Sequence, residues 1–393
     1  MNLLRLRAWR PLALLAWVVF GSAQAAPDVL IGISAEYSMK NSLAAQSIEK
    51  GVKLAIEEIN AAGGVLGGRK LALQALDDRG VPARAVENLQ ALAQNPDALA
   101  VFCGRFSPVA AELVPVANRE RFLLLDPWAA ADGIANNGGN PNYVFRLSMT
   151  DTWALRVMTQ HAVERKLKRL ALFLPNTAWG RSSLAAYDAY ARKYPALRAQ
   201  KYWYNWGDTD FAGKLLEARR AGAEAILMVA NETEGAMVVQ LMANQPRDQR
   251  LPLIAHWGLT AGDFPAMTGA ALADVDLVVV QTFSFREAQS ARARAVEKAF
   301  RQLFSGEVAS LQAAAGFVHA YDLTHLLALA INKAGRADRG AVRDALENLG
   351  SYAGLVKNYT KPFSQRNHDA LDQGQIFLAR FQKDGSLLRV RSK

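Results

Sequence analysis

Cysteine is almost absent: Cys103 is the only one in 393 residues, which excludes an intramolecular disulfide and any thiolate metal cluster. It ends the apolar run Leu99-Ala100-Val101-Phe102-Cys103 and reads as a small buried side chain rather than a reactive thiol. No HExxH, no GxSxG elbow and no Walker loop occurs, so the best-marked hydrolase and nucleotide-cleaving signatures are missing. Histidines number five and are scattered; His319 and His325 lie six residues apart, too far round a helix to share one metal. Acids are common on helical faces, but no pair is marked out for glycoside hydrolysis. No catalytic residue, metal ligand or cofactor site is therefore assigned, and a hydrolytic enzyme ranks behind any binding role.

Long apolar runs are also lacking. The run Pro11–Phe20 is far short of the ~20 residues a spanning helix needs. It follows Arg5, Arg7 and Arg10 and precedes Ala23-Gln24-Ala25, the pattern of a signal peptide over residues 1–25 with cleavage near Ala25 and a periplasmic destination. No cysteine stands there to carry a lipid. Cleavage removes three arginines and no acid, lowering the formal net charge from +10 to +7. That basic balance is not a nucleic-acid footprint. Basic residues alternate with acids, as in Arg343-Asp344-Ala345-Leu346-Glu347, and no basic run interleaves with aromatics as single-strand binders require.

What is present is alternating α/β patterning. Ile48, Val52, Ala55, Ile56 and Ile59 have the spacing of a half-buried helix. Asn60 and Gly63-Gly64 close it, and Gly67-Gly68 feed the strand Leu71–Leu76, which ends at Asp77-Asp78. A nucleotide loop is excluded because its glycines open a helix after a strand, whereas these close one. Further strands are expected at Val29–Ser34, Leu99–Cys103, Phe122–Leu125, Leu170–Leu174, Lys201–Tyr204, Ala225–Val229 and Leu253–Ala255. Strands alternating with helices predict parallel sheets covered on both faces.

The stretch "GVKLAIEEINAAGGVLGGRKLAL…DD", about 20 residues after the first strand, resembles the signature of the periplasmic solute-binding proteins of ABC transporters, in their leucine/isoleucine/valine-binding, type I fold group. The resemblance continues to about residue 380. It implies an α/β fold of two Rossmann-like lobes joined by three interlobe crossovers, with a ligand cleft between them in the manner of a Venus flytrap. Residues 26–147 plus 283–350 would form the first lobe, and residues 148–282 plus 351–393 the second. The crossovers fall at Asn140–Ser148, at Val278–Phe283, and before the segment Pro362–Leu371, which with Gln375–Phe381 resembles the family's closing strand pair. The implied protein is a monomer that captures a small ligand, expected to carry a carboxylate, as an amino acid, amide or aromatic acid. It would hand this to the membrane permease of an ABC importer, or to a membrane sensor in a signalling system of the same fold.

The same resemblance names the ligand-binding candidates, all at C-terminal strand ends where open α/β sheets receive ligands. Gly104–Ser107, with Arg105 and Ser107, matches the loop that binds a ligand carboxylate, and Ser107-Pro108 also reads as a helix N-cap. Asp126–Asp132 matches the family's "SPGAT" loop: Trp128 replaces glycine, Ala129 and Ala130 follow, and alanine stands where the family has a threonine hydroxyl. Trp179-Gly180 resembles the "YG" pair whose aromatic closes over the ligand. Asn231 and Glu232 follow strand Ala225–Val229; Glu232 either meets a ligand ammonium or favours the next helix's N-terminus. Trp257 replaces the glutamate that pairs with the ammonium in branched-chain amino-acid binders, so another acid, Glu232, Asp132 or Glu36, must serve, or the ligand is not an α-amino acid. Phe283 completes an expected aromatic cleft with Trp128, Trp179 and Trp257. Tyr202–Trp206 reads as lobe core.

Overall fold

A computed structural model describes residues 28–391 apart from 309 and 310, so the expected signal peptide lies outside the described residues. Two sheets account for the architecture. The first takes β1 (Val29–Ala35), β2 (Leu71–Asp77), β3 (Ala98–Cys103), β4 (Leu123–Asp126) and β5 (Val144–Arg146), in the order β2-β1-β3-β4-β5, all parallel. Each connection is a helix: α1 (Ala44–Ala61), α2 (Pro82–Ala93) and α3 (Ser107–Glu120) join the first four strands. The chain then builds α4 (Asp151–Glu164), β6 (Arg169–Pro175), α5 (Ala178–Ala191), β7 (Arg198–Tyr204), α6 (Ala212–Arg220), β8 (Ala225–Met228), α7 (Glu232–Ala243), β9 (Leu253–Ala255), the short α8 (Phe264–Thr268) and β10 (Leu277–Gln281).

β6 to β10 form the parallel part of the second sheet, so Val278–Gln281 belongs to the second lobe and the chain crosses back after it. It then lays α9 (Ala291–Phe304), α10 (Ala314–Ala334) and α11 (Arg339–Glu347) on the first lobe. A small ribbon of β11 (Tyr352–Ala353) and β12 (Asn358–Tyr359) follows. The last strands, β13 (Phe377–Phe381) and β14 (Leu387–Arg389), extend the second sheet antiparallel, giving the order β14-β13-β10-β9-β8-β6-β7. Two α/β lobes with covered parallel sheets and three crossovers are thus the architecture.

The third crossover lies later than expected. The resemblance places residues 351–371 in the second lobe, yet Leu355, Tyr359, Phe363 and Leu371 are buried in the first lobe's core. Asp322 of α10 holds them there, accepting from the amides of Leu355 (2.7 Å) and Val356 (2.9 Å) and from the Tyr359 hydroxyl (2.8 Å). Nor is Pro362–Leu371 a partner of the closing strand: its residue 369 bridges Arg146 at the edge of β5, and β13 pairs with β14 instead. The aspartate's three donors, invisible in the sequence, decide the lobe.

Local sequence explains the close approaches. Gly64 has φ +76, a left-handed conformation cheap only for glycine, and a methyl group on it would overlap the Arg69 carbonyl. Asn60 then pins the next strand, its side chain accepting from the Leu71 amide (2.8 Å) and donating to the Leu71 carbonyl (2.9 Å). Gly51 lets α1 touch α10, for a methyl there would overlap the Phe317 carbonyl. α10 is long and apolar enough to cross a membrane, but 83% of its apolar window is buried; its hydrophobicity is spent on α1, α11 and the sheet.

Candidate functional site

Side chains from both lobes meet at the C-terminal ends of the strands. A cavity there is lined by Arg105, Ser107, Trp128 and Ala130 of the first lobe and by Trp179, Asn231 and Trp257 of the second. The lobes are closed on one another, and the space left inside is about 10 Å³, room for roughly one water molecule. One apolar cluster runs straight through the cleft: Ala44, Trp128 and Ala315 pack with Trp179, Trp257 and Ala261. Across it the Trp128 and Trp257 rings lie 5.1 Å apart and tilted, and Phe106 meets Trp206 at 4.9 Å. A concavity of about 1540 Å³ lies elsewhere, between α4 and the closing strands, and none of the residues expected to bind ligand lines it.

Arg105 is the electrostatic centre. Its guanidinium donates to both Glu232 oxygens across the cleft, at 2.5 and 2.9 Å, and its Nε lies 3.3 Å from Glu36 Oε1 in its own lobe. It also stacks on the Phe106 ring, 4.5 Å from the centroid. Burial opposes its charge, but Glu232 and then Glu36 raise its pKa. Glu232 opens α7, where the helix dipole welcomes an acid, and its carboxylate is taken by Arg105. Of the other acids considered, Glu36 is also held by the Ser42 hydroxyl (2.8 Å). Asp132 instead accepts from the Thr152 hydroxyl (2.7 Å) and has its carboxyl pushed up by burial.

The groups expected to grip a ligand carboxylate are largely engaged internally. Ser107 is the first residue of α3 rather than its cap; Phe106 holds the N-cap position, and the Ser107 hydroxyl accepts from the Ala131 amide (3.2 Å). Asp126 Oδ1 takes the amides of Trp128 (2.9 Å) and Ala129 (2.7 Å), folding the loop back on itself. Burial lifts the Asp126 carboxyl to about 6. Arg146 secures the loop from beneath, donating to the carbonyls of Ala129 (3.2 Å) and Ala131 (2.8 Å) and to Asp369 (2.6 Å). Ala129 consequently packs into the first lobe's core while Ala130 reaches the cleft.

On the second lobe, the Trp179 indole donates to Asp151 Oδ1 at 3.1 Å and stands edge-on to His256. His256 Nδ1 accepts from the Trp257 amide (3.0 Å). The proton of a neutral ring is therefore on Nε2, 3.1 Å from Asp151. His319 of α10 lies under Trp257 and ties the hinge. Its Nδ1 donates to the Pro127 carbonyl (2.8 Å), so its Nε2 accepts from the Thr282 hydroxyl (3.0 Å) in the second crossover. Full burial pushes this imidazole down to about 4.

Phe283 is not brought into the cleft; it packs on Phe285 (4.9 Å) and lines a separate crevice by the second crossover. Phe106, inside the expected Gly104–Ser107 loop, also lines the cavity, and sequence reasoning missed Trp206 in the same wall. Trp206 follows β7, so the strand-end rule that singled out Trp179 applied to it as well; its neighbours Tyr202 and Tyr204 are core, as expected.

A family model described as periplasmic binding protein matches residues 29–386. The Leu/Ile/Val-binding protein homolog 1 of Brucella abortus is 26% identical over 353 residues, covering 86% of this chain and 87% of that one. Among solved structures, a type 1 periplasmic binding protein from Bordetella pertussis superposes with a TM-score of 0.82 at 22% identity, covering 92% of this chain and all of that one. The isoleucine complex of a branched-chain amino-acid substrate-binding protein from Streptococcus pneumoniae gives 0.77 at 22% identity, covering 92% and 97%.

Proposed function

Because the chain belongs to the periplasmic binding protein family, we propose that it is an exported solute-binding protein that encloses a small organic ligand between its lobes and presents it to the permease of an ABC importer. The observation that carries the reading is the convergence of Trp128 and Arg105 from one lobe with Trp179, Trp257 and Glu232 from the other in a single buried cleft. Three crossovers joining the lobes make a hinge. A ligand favours the closed form only by its greater affinity for it, and indole faces from both lobes supply that difference by contacting the ligand together only on closure. The action is capture without turnover. The isoleucine bound by the Streptococcus relative supports a ligand of that size. Trp257, where the branched-chain binders have glutamate, argues that its polar end is held differently.

The test is a thermal-shift screen of amino acids, amides, amines and aromatic acids on the purified protein. A ligand present at a thousand times its Kd stabilises by about 4 kcal/mol, and deleting the gene should abolish cellular uptake of the same solute. If no solute moves the melting temperature, or uptake persists without the gene, the reading is wrong.

A further inference from the structure

The charges of the cleft do not balance. Arg105 is joined by two carboxylates, Glu36 from its own lobe and Glu232 from the other, and the buried Glu234 lies two residues further along α7. When the lobes part, these partners divide unequally. Arg105 keeps Glu36, whereas Glu232, whose ion pair among the described residues is with Arg105, goes with the second lobe and loses its cation. The cavity wall next to it carries Asn231, Trp179, Trp206 and Trp257, all on the second lobe, and Glu232 reaches this cavity through Arg105, the cation that lines it from the first lobe. A carboxylate at the margin of a cavity lined by three indoles is a setting that takes an organic cation, by charge pairing together with attraction to the ring quadrupoles. The closed structure shows such a cation in place: the Arg105 guanidinium, reaching over from the first lobe.

We propose that the ligand carries a guanidinium- or ammonium-type cation that takes the place of Arg105 at Glu232, and that Arg105 is the site's built-in competitor. The proposal rests on the reading of the cleft as the capture site and deepens it. A ligand with a carboxylate alone would add a third negative charge beside Glu36 and Glu232 against one guanidinium, and burying unmatched charge is costly. A cation instead leaves Arg105 neutralised by Glu36 and gives Glu232 a new partner, so both lobes close with their acids paired.

Two measurements test it, both by thermal shift with titration calorimetry. Tryptamine and indole-3-acetate share a ring system and differ in the sign of their charge; on the wild-type protein tryptamine should bind at least tenfold more tightly. Methylguanidine should raise the melting temperature of Arg105→Ala several-fold more than that of the wild type, and Glu232→Gln added to that variant should abolish the gain. Should Arg105→Ala not fold, Glu232→Gln alone should weaken tryptamine tenfold. Preference for the acetate, or equal methylguanidine shifts in Arg105→Ala with and without Glu232, overturns the cation site while leaving capture intact. No response of the wild type to cation, anion or amino acid overturns capture itself, and the ligand cation with it.

Discussion

His319 offers the sharpest test of how the hinge is held. Its ring bridges the Pro127 carbonyl of the first lobe's cleft loop and the Thr282 hydroxyl of the second crossover, an arrangement that requires the neutral form. Burial holds its pKa at about 4, against about 6.5 in an unfolded chain. A histidine with a depressed native pKa stabilises fully above its unfolded value and loses that contribution as pH falls towards its native value. Near pH 5 the loss is about 2 kcal/mol, out of about 3 kcal/mol available in all. The whole protein will not show this cleanly. Burial raises Asp126 and Asp78 to about 6, so their penalty is relieved over the same range and they work in the opposite direction. The difference between wild type and His319→Gln isolates the imidazole, because glutamine can donate to Pro127 and accept from Thr282 without titrating. Urea unfolding near pH 7 and near pH 5, followed by tryptophan fluorescence, should show the wild-type advantage shrinking by about 2 kcal/mol. An advantage that stays constant to within about 0.5 kcal/mol would refute the claim that His319 is neutral because it is buried.

Gly51→Ala should destabilise by roughly 1–3 kcal/mol, although helix propensity alone favours alanine by about 1 kcal/mol, because the methyl would strike the Phe317 carbonyl. Gly350→Ala, which meets open space, is the control, and a raised melting temperature for Gly51→Ala would contradict the packing described. Arg146→Met should cost roughly 3–5 kcal/mol in urea unfolding, since it strands the buried Asp369 and two loop carbonyls. Asp369→Asn, which keeps a hydrogen-bonding group, should cost less, and equal losses would mean that charge does not matter at that joint.

The strands were legible wherever burial on both faces makes a continuous apolar run, as at Leu99–Cys103 and Leu253–Ala255. β5 was not, because a three-residue strand after Asn140–Pro141 has no periodicity of its own; its identity comes from pairing with β4. The lobe boundary at 351–371 was misplaced for a related reason. A loop's allegiance depends on which buried acid satisfies its amides, and Asp322 carries no mark of that in the sequence. In the cleft, Trp128, Trp179 and Trp257 could be found because a tryptophan at a strand end is conspicuous. What local sequence cannot show is pairing at long range: that Arg105 would meet Glu232, 127 residues on, or that Arg146 would meet Asp369.

The three crossovers set the order in which the chain can become a protein. The first lobe's opening strands emerge first, but the helix that covers α1 comes late: Ser47 donates to the Ala313 carbonyl 266 residues later. Tyr321 reaches Glu58 across 263. Closing such spans before any local unit is complete is slow, and neither lobe can finish while most of the chain is still being made. The protein therefore stays unfinished until its last third has been made, and neither lobe offers a stable stopping point before that.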